Sequence, residues 1–206
     1  GVFISIAFAN LFSKELFGNY KFILSVASML GIFAFTGLNT SIIQSAALGF
    51  GGSLRQGFKI NLKWSIGIFL GGLAISVYYY LNDNAVLSFS FLLAGILLPV
   101  TASASLYGAY LMGKKDFKRS TFYGMVRNIV PAVALIITLV FSRSLPIIIT
   151  VYFFIGALVP LFLYYKTLRA YMHENKKEDP KLLSYSGHLS AMEIIGNFAS
   201  YLDKIL

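Results

Sequence analysis

The feature that most constrains this chain is an alternation of long apolar stretches with short polar turns, most of them basic. Apolar runs lie near Lys21–Ala46, Leu62–Leu81, Val86–Met112, Thr121–Phe141 and Leu145–Tyr165. As helices rising about 1.5 Å per residue, runs of this length can cross a hydrocarbon core ~30 Å thick. Backbone polar groups cannot stay unpaired in lipid, so apolar spans of this kind must be helical. The expected fold class is therefore an all-α, polytopic helical bundle in a membrane. Composition agrees, with 57% hydrophobic and 12% charged residues, where soluble domains carry about 25% charge.

Two partial runs flank these five. Gly1–Phe12 is apolar but too short to span, and is read as the end of a truncated first helix. It has neither a basic lead nor a small-residue cleavage site, so it does not read as a signal peptide. At the other end, Ser184–Leu206 reads as the start of a seventh helix. The expected organisation is a six-helix lobe over residues 1–181, including a solvated charged linker at about 166–181, followed by the opening of the seventh span at 182–206.

Seven spans separated by six turns place alternate turns on opposite sides. Of the 17 Lys and Arg, thirteen then fall on one side, from Arg55, Lys59 and Lys63 through the Gly113–Ser120 loop to Lys181. Only Lys14, Lys21 and Arg143 fall on the other, and Lys204 stays within the membrane. Such a bias marks the cytoplasmic face. The expected location is a bacterial cytoplasmic membrane with the N-terminus inside.

Within the spans, polar residues are the informative ones. Lys21–Ala46 is expected as one helix on which Ser25, Ser28, Thr36 and Asn39 share a face, which suits either helix packing or a cavity lining. Gly49–Lys63 is glycine-rich and basic, and is expected as a loop or interfacial segment. Gly67 and Gly71 form a weak close-packing signal. Pro99 and Pro131 interrupt the fourth and fifth spans and are candidate hinges. Thr101, Ser103 and Ser105 follow Pro99 and are candidates to satisfy the carbonyl it frees. Arg127 lies nearly two turns into the fifth span, where it either snorkels to headgroups or faces a cavity.

The last stretch carries the heaviest polar load. On a helical wheel Ser186, Ser190, Glu193, Asn197, Ser200 and Lys204 fall on one narrow face, with Asp203 at its edge. A charged stripe on a membrane helix must face protein or water.

Several function classes lack support. The chain has no cysteine, so thiolate metal sites and a Cys nucleophile are excluded. The net charge of +9 is dispersed through loops without a nucleic-acid-binding motif. His173 and His188 have no partner at metal-ligand spacing. Ser53 sits in a basic segment that only faintly resembles a serine-protease helix start. Gly49–Lys63 does not end as a phosphate-binding loop does. No catalytic residue, metal or cofactor is expected.

The residues Leu16-Phe17-Gly18-x-Tyr20, an apolar helix and then Gly37-Leu38 resemble the opening of the polysaccharide biosynthesis flippases. These belong to the multidrug/oligosaccharidyl-lipid/polysaccharide exporter superfamily. The Leu111–Ser120 loop and the Tyr201-Leu202-Asp203-Lys204 stretch resemble the corresponding parts of that family. Many of its members carry a basic residue where this chain has Gln44. The resemblance implies two pseudo-symmetric lobes, of which this chain is the N-lobe plus the start of the seventh helix.

It also implies a cargo, an undecaprenyl-diphosphate-linked oligosaccharide. Arg127 and Lys204 would attract the diphosphate, and Thr36, Asn39, Asn197 and Ser200 would contact sugar. Glu193 and Asp203 would titrate or bind H+ or Na+ as coupling ion. The alternatives are a drug or cation antiporter of the same superfamily, and a polytopic glycan-modifying enzyme. The antiporter needs acids facing the lobe interior, and the enzyme needs a reactive His or a long external loop.

Overall fold

The computed structural model describes residues 14–31, 34–142, 144–173 and 176–202, with side chains of the last helix described as far as Met192. Among the described residues all regular structure is helical. The helices are α1 (Lys14–Leu30), α2 (Leu38–Ala47), α3 (Ser53–Trp64), α4 (Ile66–Leu81), α5 (Ala85–Ala104), α6 (Tyr107–Gly113), α7 (Phe117–Phe141), α8 (Leu145–Ala170) and α9 (Leu182–Leu202). Among the described residues, four stretches are long and apolar enough to cross a membrane: Ser53–Leu81, Ala85–Gly113, Phe117–Phe141 and Leu145–Ala170. Much of their surface is apolar and exposed, as on Leu70, Ile129, Val140 and Phe162, which suits lipid rather than water. The chain is a multi-pass helical membrane protein.

The structure corrects several expected boundaries. The stretch Lys21–Ala46 is not one helix. It divides into α1 and α2 around Gly31–Gly37, so Ser25 and Ser28 do not share a continuous helical face with Thr36 and Asn39. Helix α1 starts at Lys14, inside the expected Ser13–Tyr20 loop. The expected Gly49–Lys63 loop is mostly helix α3, which continues through a turn at Ser65 into α4. Its sequence is amphipathic: Leu54, Gly57 and Asn61 are buried, while Arg55, Lys59 and Lys63 lie exposed on the opposite face. The expected fourth span is likewise two helices, α5 and α6, joined at Ser105–Leu106.

Two apolar clusters hold the bundle. One joins Tyr20, Ile23, Phe91, Ala94, Leu135, Leu139 and Ile148. The other, toward the basic ends, joins Leu38, Ile42, Leu54, Tyr107, Tyr110, Leu111, Tyr123 and Tyr164. Between neighbouring helices glycine sets the distance. At the α4–α5 crossing a Cβ on Gly72 would lie 2.6 Å from Gly95 Cα, so only glycine fits. The sequence pair Gly67 and Gly71 is not what makes this contact. Near the same crossing Ser76 Oγ donates to the Ser88 carbonyl at 2.8 Å, tying the two helices where lipid offers no competing water.

Pro99 and Pro131 lie inside α5 and α7. The hydroxyls after Pro99 do not satisfy the carbonyl it frees. That carbonyl belongs to Gly95, four residues earlier. Thr101, Ser103 and Ser105 instead donate to Leu97, Pro99 and Thr101 at 2.8, 2.8 and 2.6 Å. Such back-bonding bends helices, and α5 ends directly after it.

The charged linker is also more ordered than expected. Residues 176–181 lie across the start of α3. Gly52 N–H donates to Lys177 O at 3.1 Å. The Gln56 side chain donates to Asp179 O at 2.9 Å and accepts from Asp179 N–H at 3.0 Å. Gly52 is required here, because its Cβ would meet Lys176 O at 2.5 Å.

Candidate functional site

Three helix interruptions fall at one level of the bundle: Gly31–Gly37 between α1 and α2, Ser65 between α3 and α4, and Ser105–Leu106 between α5 and α6. This level is the seam between the two apolar clusters. At about 1.5 Å per residue it lies roughly 12–18 Å in from the basic ends of α3, α6 and α7. Broken helices expose backbone that a membrane tolerates only where it is buried in protein or lines a cavity.

A cavity of about 370 Å³ occupies this seam. Its rim carries Thr36, Asn39 and Arg127, all exposed, and its floor carries Asn61, Ile68 and Leu106, all buried. Thr101 and Ser105 complete one wall. Among the described residues the only charged group lining it is Arg127. That side chain lies near enough to the Tyr107 hydroxyl for its charge to act on it. Tyr107 in turn packs edge-on to Tyr123, with ring centroids 5.9 Å apart. Arg127 thus turns inward toward the α5–α6 junction. Its own carbonyl is the one left free by Pro131 four residues on.

Three residues singled out in the sequence therefore meet at one cavity: Thr36 from the turn before α2, Asn39 from α2 and Arg127 from α7. The seventh-helix stripe divides differently. Its first members, Ser186 and Ser190, are buried against the turn before α2. Gly37 N–H donates to Ser190 Oγ at 3.0 Å, and a Cβ on Gly37 would meet Ser190 N at 2.5 Å. These serines are packing groups. Glu193, Asn197 and Ser200 belong to α9 beyond its last described side chain, and Asp203 and Lys204 lie outside the described residues.

Sequence reasoning missed Asn61. It is 4% exposed, and its Oδ1 is sealed from solvent with no hydrogen-bond partner among the described residues. Leaving such a group unpaired costs about 1–3 kcal/mol. The signal was present, since a helical period through Leu54, Gly57 and Asn61 marks one buried face. The basic, glycine-rich composition of the segment hid it. Ser65 Oγ, one turn on, is buried and unpaired as well.

A second, apolar cavity of about 610 Å³ lies between α9 and the α3–α4 junction, lined by Trp64, Gly67, Leu183, Gly187 and His188. Ala34 and Phe35 line both cavities. Phe35 is fixed there by stacking on Trp64, with centroids 5.1 Å apart and planes 4° from parallel.

At the basic end, Asp116 organises the α6–α7 turn. Lys115 before it adopts a positive φ of 58°. Asp116 caps α7 by accepting from Arg119 N–H at 3.2 Å, and it pairs with the Arg119 guanidinium at 3.3 Å. The Tyr171 hydroxyl donates to Asp116 Oδ2 at 2.9 Å. Burial, then the hydrogen bond and negative charge of Asp116, hold the Tyr171 hydroxyl above the ordinary phenol range, with Arg119 opposing. This fastens the loop to the end of α8.

Fold and cavity together define a multi-pass α-helical membrane protein with a cavity of mixed polar and apolar lining set among interrupted helices, in which Arg127 is the one charged group among the described residues. More specifically, the chain belongs to the polysaccharide biosynthesis protein family, whose family model matches residues 2–206. No curated protein and no solved structure gives a significant match to it.

Proposed function

We propose that this chain is the N-terminal lobe of a transporter that flips a lipid-diphosphate-linked oligosaccharide across the bacterial cytoplasmic membrane for surface polysaccharide assembly. Family membership supports a role in polysaccharide biosynthesis. The observation that carries the transport reading is the cavity at the level where three helix pairs break, with Arg127 at its rim among neutral hydrogen-bonding groups. Transporters commonly build their binding sites from discontinuous helices. A diphosphate and a glycan would cost many kcal/mol to carry through hydrocarbon unaided. A cation with hydroxyl and amide groups can replace their hydration. Arg127 suits the diphosphate, since a guanidinium binds phosphate oxygens bidentately. Thr36 and Asn39 suit sugar hydroxyls.

Asp203 and Lys204 extend this reading to the seventh helix as contacts for cargo or for a coupling ion, H+ or Na+. A cation antiporter would require an acid at the cavity. The apolar runs from Lys21 to Tyr165 carry no Asp or Glu outside the turns between them, which favours an anionic cargo.

The test is flipping of a fluorescent lipid-diphosphate-linked sugar by the full-length protein in proteoliposomes. Arg127→Gln is expected to reduce flux by about tenfold or more, as loss of a charge-assisted contact to phosphate implies. Asp203→Asn and Lys204→Ala extend the test. Normal flux in Arg127→Gln protein at normal expression overturns the reading.

A further inference from the structure

The polar groups that line the Arg127 cavity differ in how they are already engaged. Thr101 Oγ1 and Ser105 Oγ spend their protons on the Leu97 and Thr101 carbonyls, so they offer only acceptor capacity. Thr36 and Asn39 are exposed and reach water on the rim. Arg127 is exposed as well and lies near Tyr107 on one side. Asn61 is the exception, because it lies on the floor, 4% exposed, with Oδ1 unpaired. Among the described residues no side-chain hydrogen bond fixes its amide. A half-turn about χ2 can therefore present either a carbonyl or an NH2 group to whatever fills the cavity. Oδ1 itself is sealed beneath the floor, so a ligand in the cavity meets the amide NH2 or, after the half-turn, the carbonyl. An amide kept without a protein partner at such a floor marks a position whose partner arrives with the ligand.

We infer that Asn61 is a specificity-determining residue that hydrogen-bonds the sugar nearest the diphosphate, while Arg127 holds the phosphate. This rests on the transport reading and names which part of the cargo this cavity takes. A volume of about 370 Å³ lies near the lower end of ligand pockets, which suits one phosphorylated sugar unit rather than a whole oligosaccharide. A floor amide distinguishes sugars by hydrogen bonding in a way an apolar floor cannot. A site built around a hydroxyl discriminates strongly against an analogue lacking it, because its own polar group is then left unpaired.

The experiment measures binding to the full-length protein in detergent with two probes, farnesyl diphosphate and farnesyl diphosphate carrying one hexose. Asn61→Leu, close in shape and apolar, is expected to weaken the hexose-bearing probe about tenfold, the equivalent of one hydrogen bond. The sugarless probe should bind it unchanged. Arg127→Gln should weaken both probes. Thermal stability of Asn61→Leu should equal or exceed that of the parent, because an unpaired buried polar group has been removed. A purely structural Asn61 would lower it.

Asn61→Leu weakening both probes alike, or neither, overturns the inference while leaving the transport reading intact. So does a parent protein that binds both probes equally. A parent that binds neither probe overturns the transport reading and this inference with it. If Asn61→Leu does not accumulate, Asn61→Ser must show the same selective loss, and an equal loss for both probes is the refuting result.

Discussion

Helix α9 comes close to the bundle at Gly37, and Gly37→Ala tests whether that contact holds the seventh helix in place. The added Cβ would lie 2.5 Å from Ser190 N, 2.7 Å from Leu189 Cβ and 2.7 Å from Ser186 O. Two of these atoms are backbone, so no side-chain rotation relieves them. Normal contact distances require α9 to withdraw by roughly 1 Å. Overpacking of this kind costs about 1–3 kcal/mol. Withdrawal also breaks the Gly37 N–H to Ser190 Oγ bond, worth about 1 kcal/mol. The expected loss is therefore about 2–4 kcal/mol.

The assay is thermal unfolding of the full-length protein in detergent, with Gly18→Ala as control. Among the described residues no atom beyond its own helix backbone and chain neighbours lies within 4 Å of a Cβ at Gly18, and alanine is the better helix former there by up to about 1 kcal/mol. A double-mutant cycle sharpens the test. Ser190→Ala alone should cost about 1 kcal/mol, and added to Gly37→Ala it should cost nothing further, because the bond is already gone. A Gly37→Ala protein within about 0.5 kcal/mol of the parent, or strict additivity, refutes the reasoning.

Two further outcomes follow from the basic end of the molecule. Gly52→Ala, which drives a Cβ into the Lys176 and Lys177 carbonyls, and Gln56→Ala, which removes both bonds to Asp179, should each release residues 176–181. Trypsin should then cut at Lys176, Lys177 and Lys181 several-fold faster than in the parent, and equal rates would count against a docked strap. Tyr171 gives the pH dependence. Its folded pKa lies above the unfolded value, so its contribution is complete below about pH 10 and is lost as pH rises through the folded pKa. Tyr171→Phe should flatten the alkaline loss of stability in a denaturation series from pH 8 to 12, and an unchanged slope would show that the Asp116 contact does not act this way.

The sequence by itself determined the class. Long apolar runs can be satisfied in lipid only as helices, and that logic needs no knowledge of which helix touches which. It therefore located the fourth, fifth and sixth spans to within about five residues, but only the later part of the third, which begins at Ser53 rather than Leu62, and it supported the family assignment. It also marked Arg127, Thr36 and Asn39, because polar residues inside apolar runs stand out against their neighbours.

Only the tertiary structure decided where helices break and what their polar faces meet. The division at Gly31–Gly37 and the continuation of α3 into α4 depend on packing that local composition does not encode. The glycine-rich, basic segment 49–63 reads as a loop until Leu54, Gly57 and Asn61 find a buried side. Ser186 and Ser190 share a wheel face with charged residues, yet their own role is set by Gly37, about 150 positions away. Asn61 gained its meaning in the same way. A side chain's sequence gives its capacity to hydrogen-bond, and only the surrounding fold determines whether that capacity is met by protein or left open to a ligand.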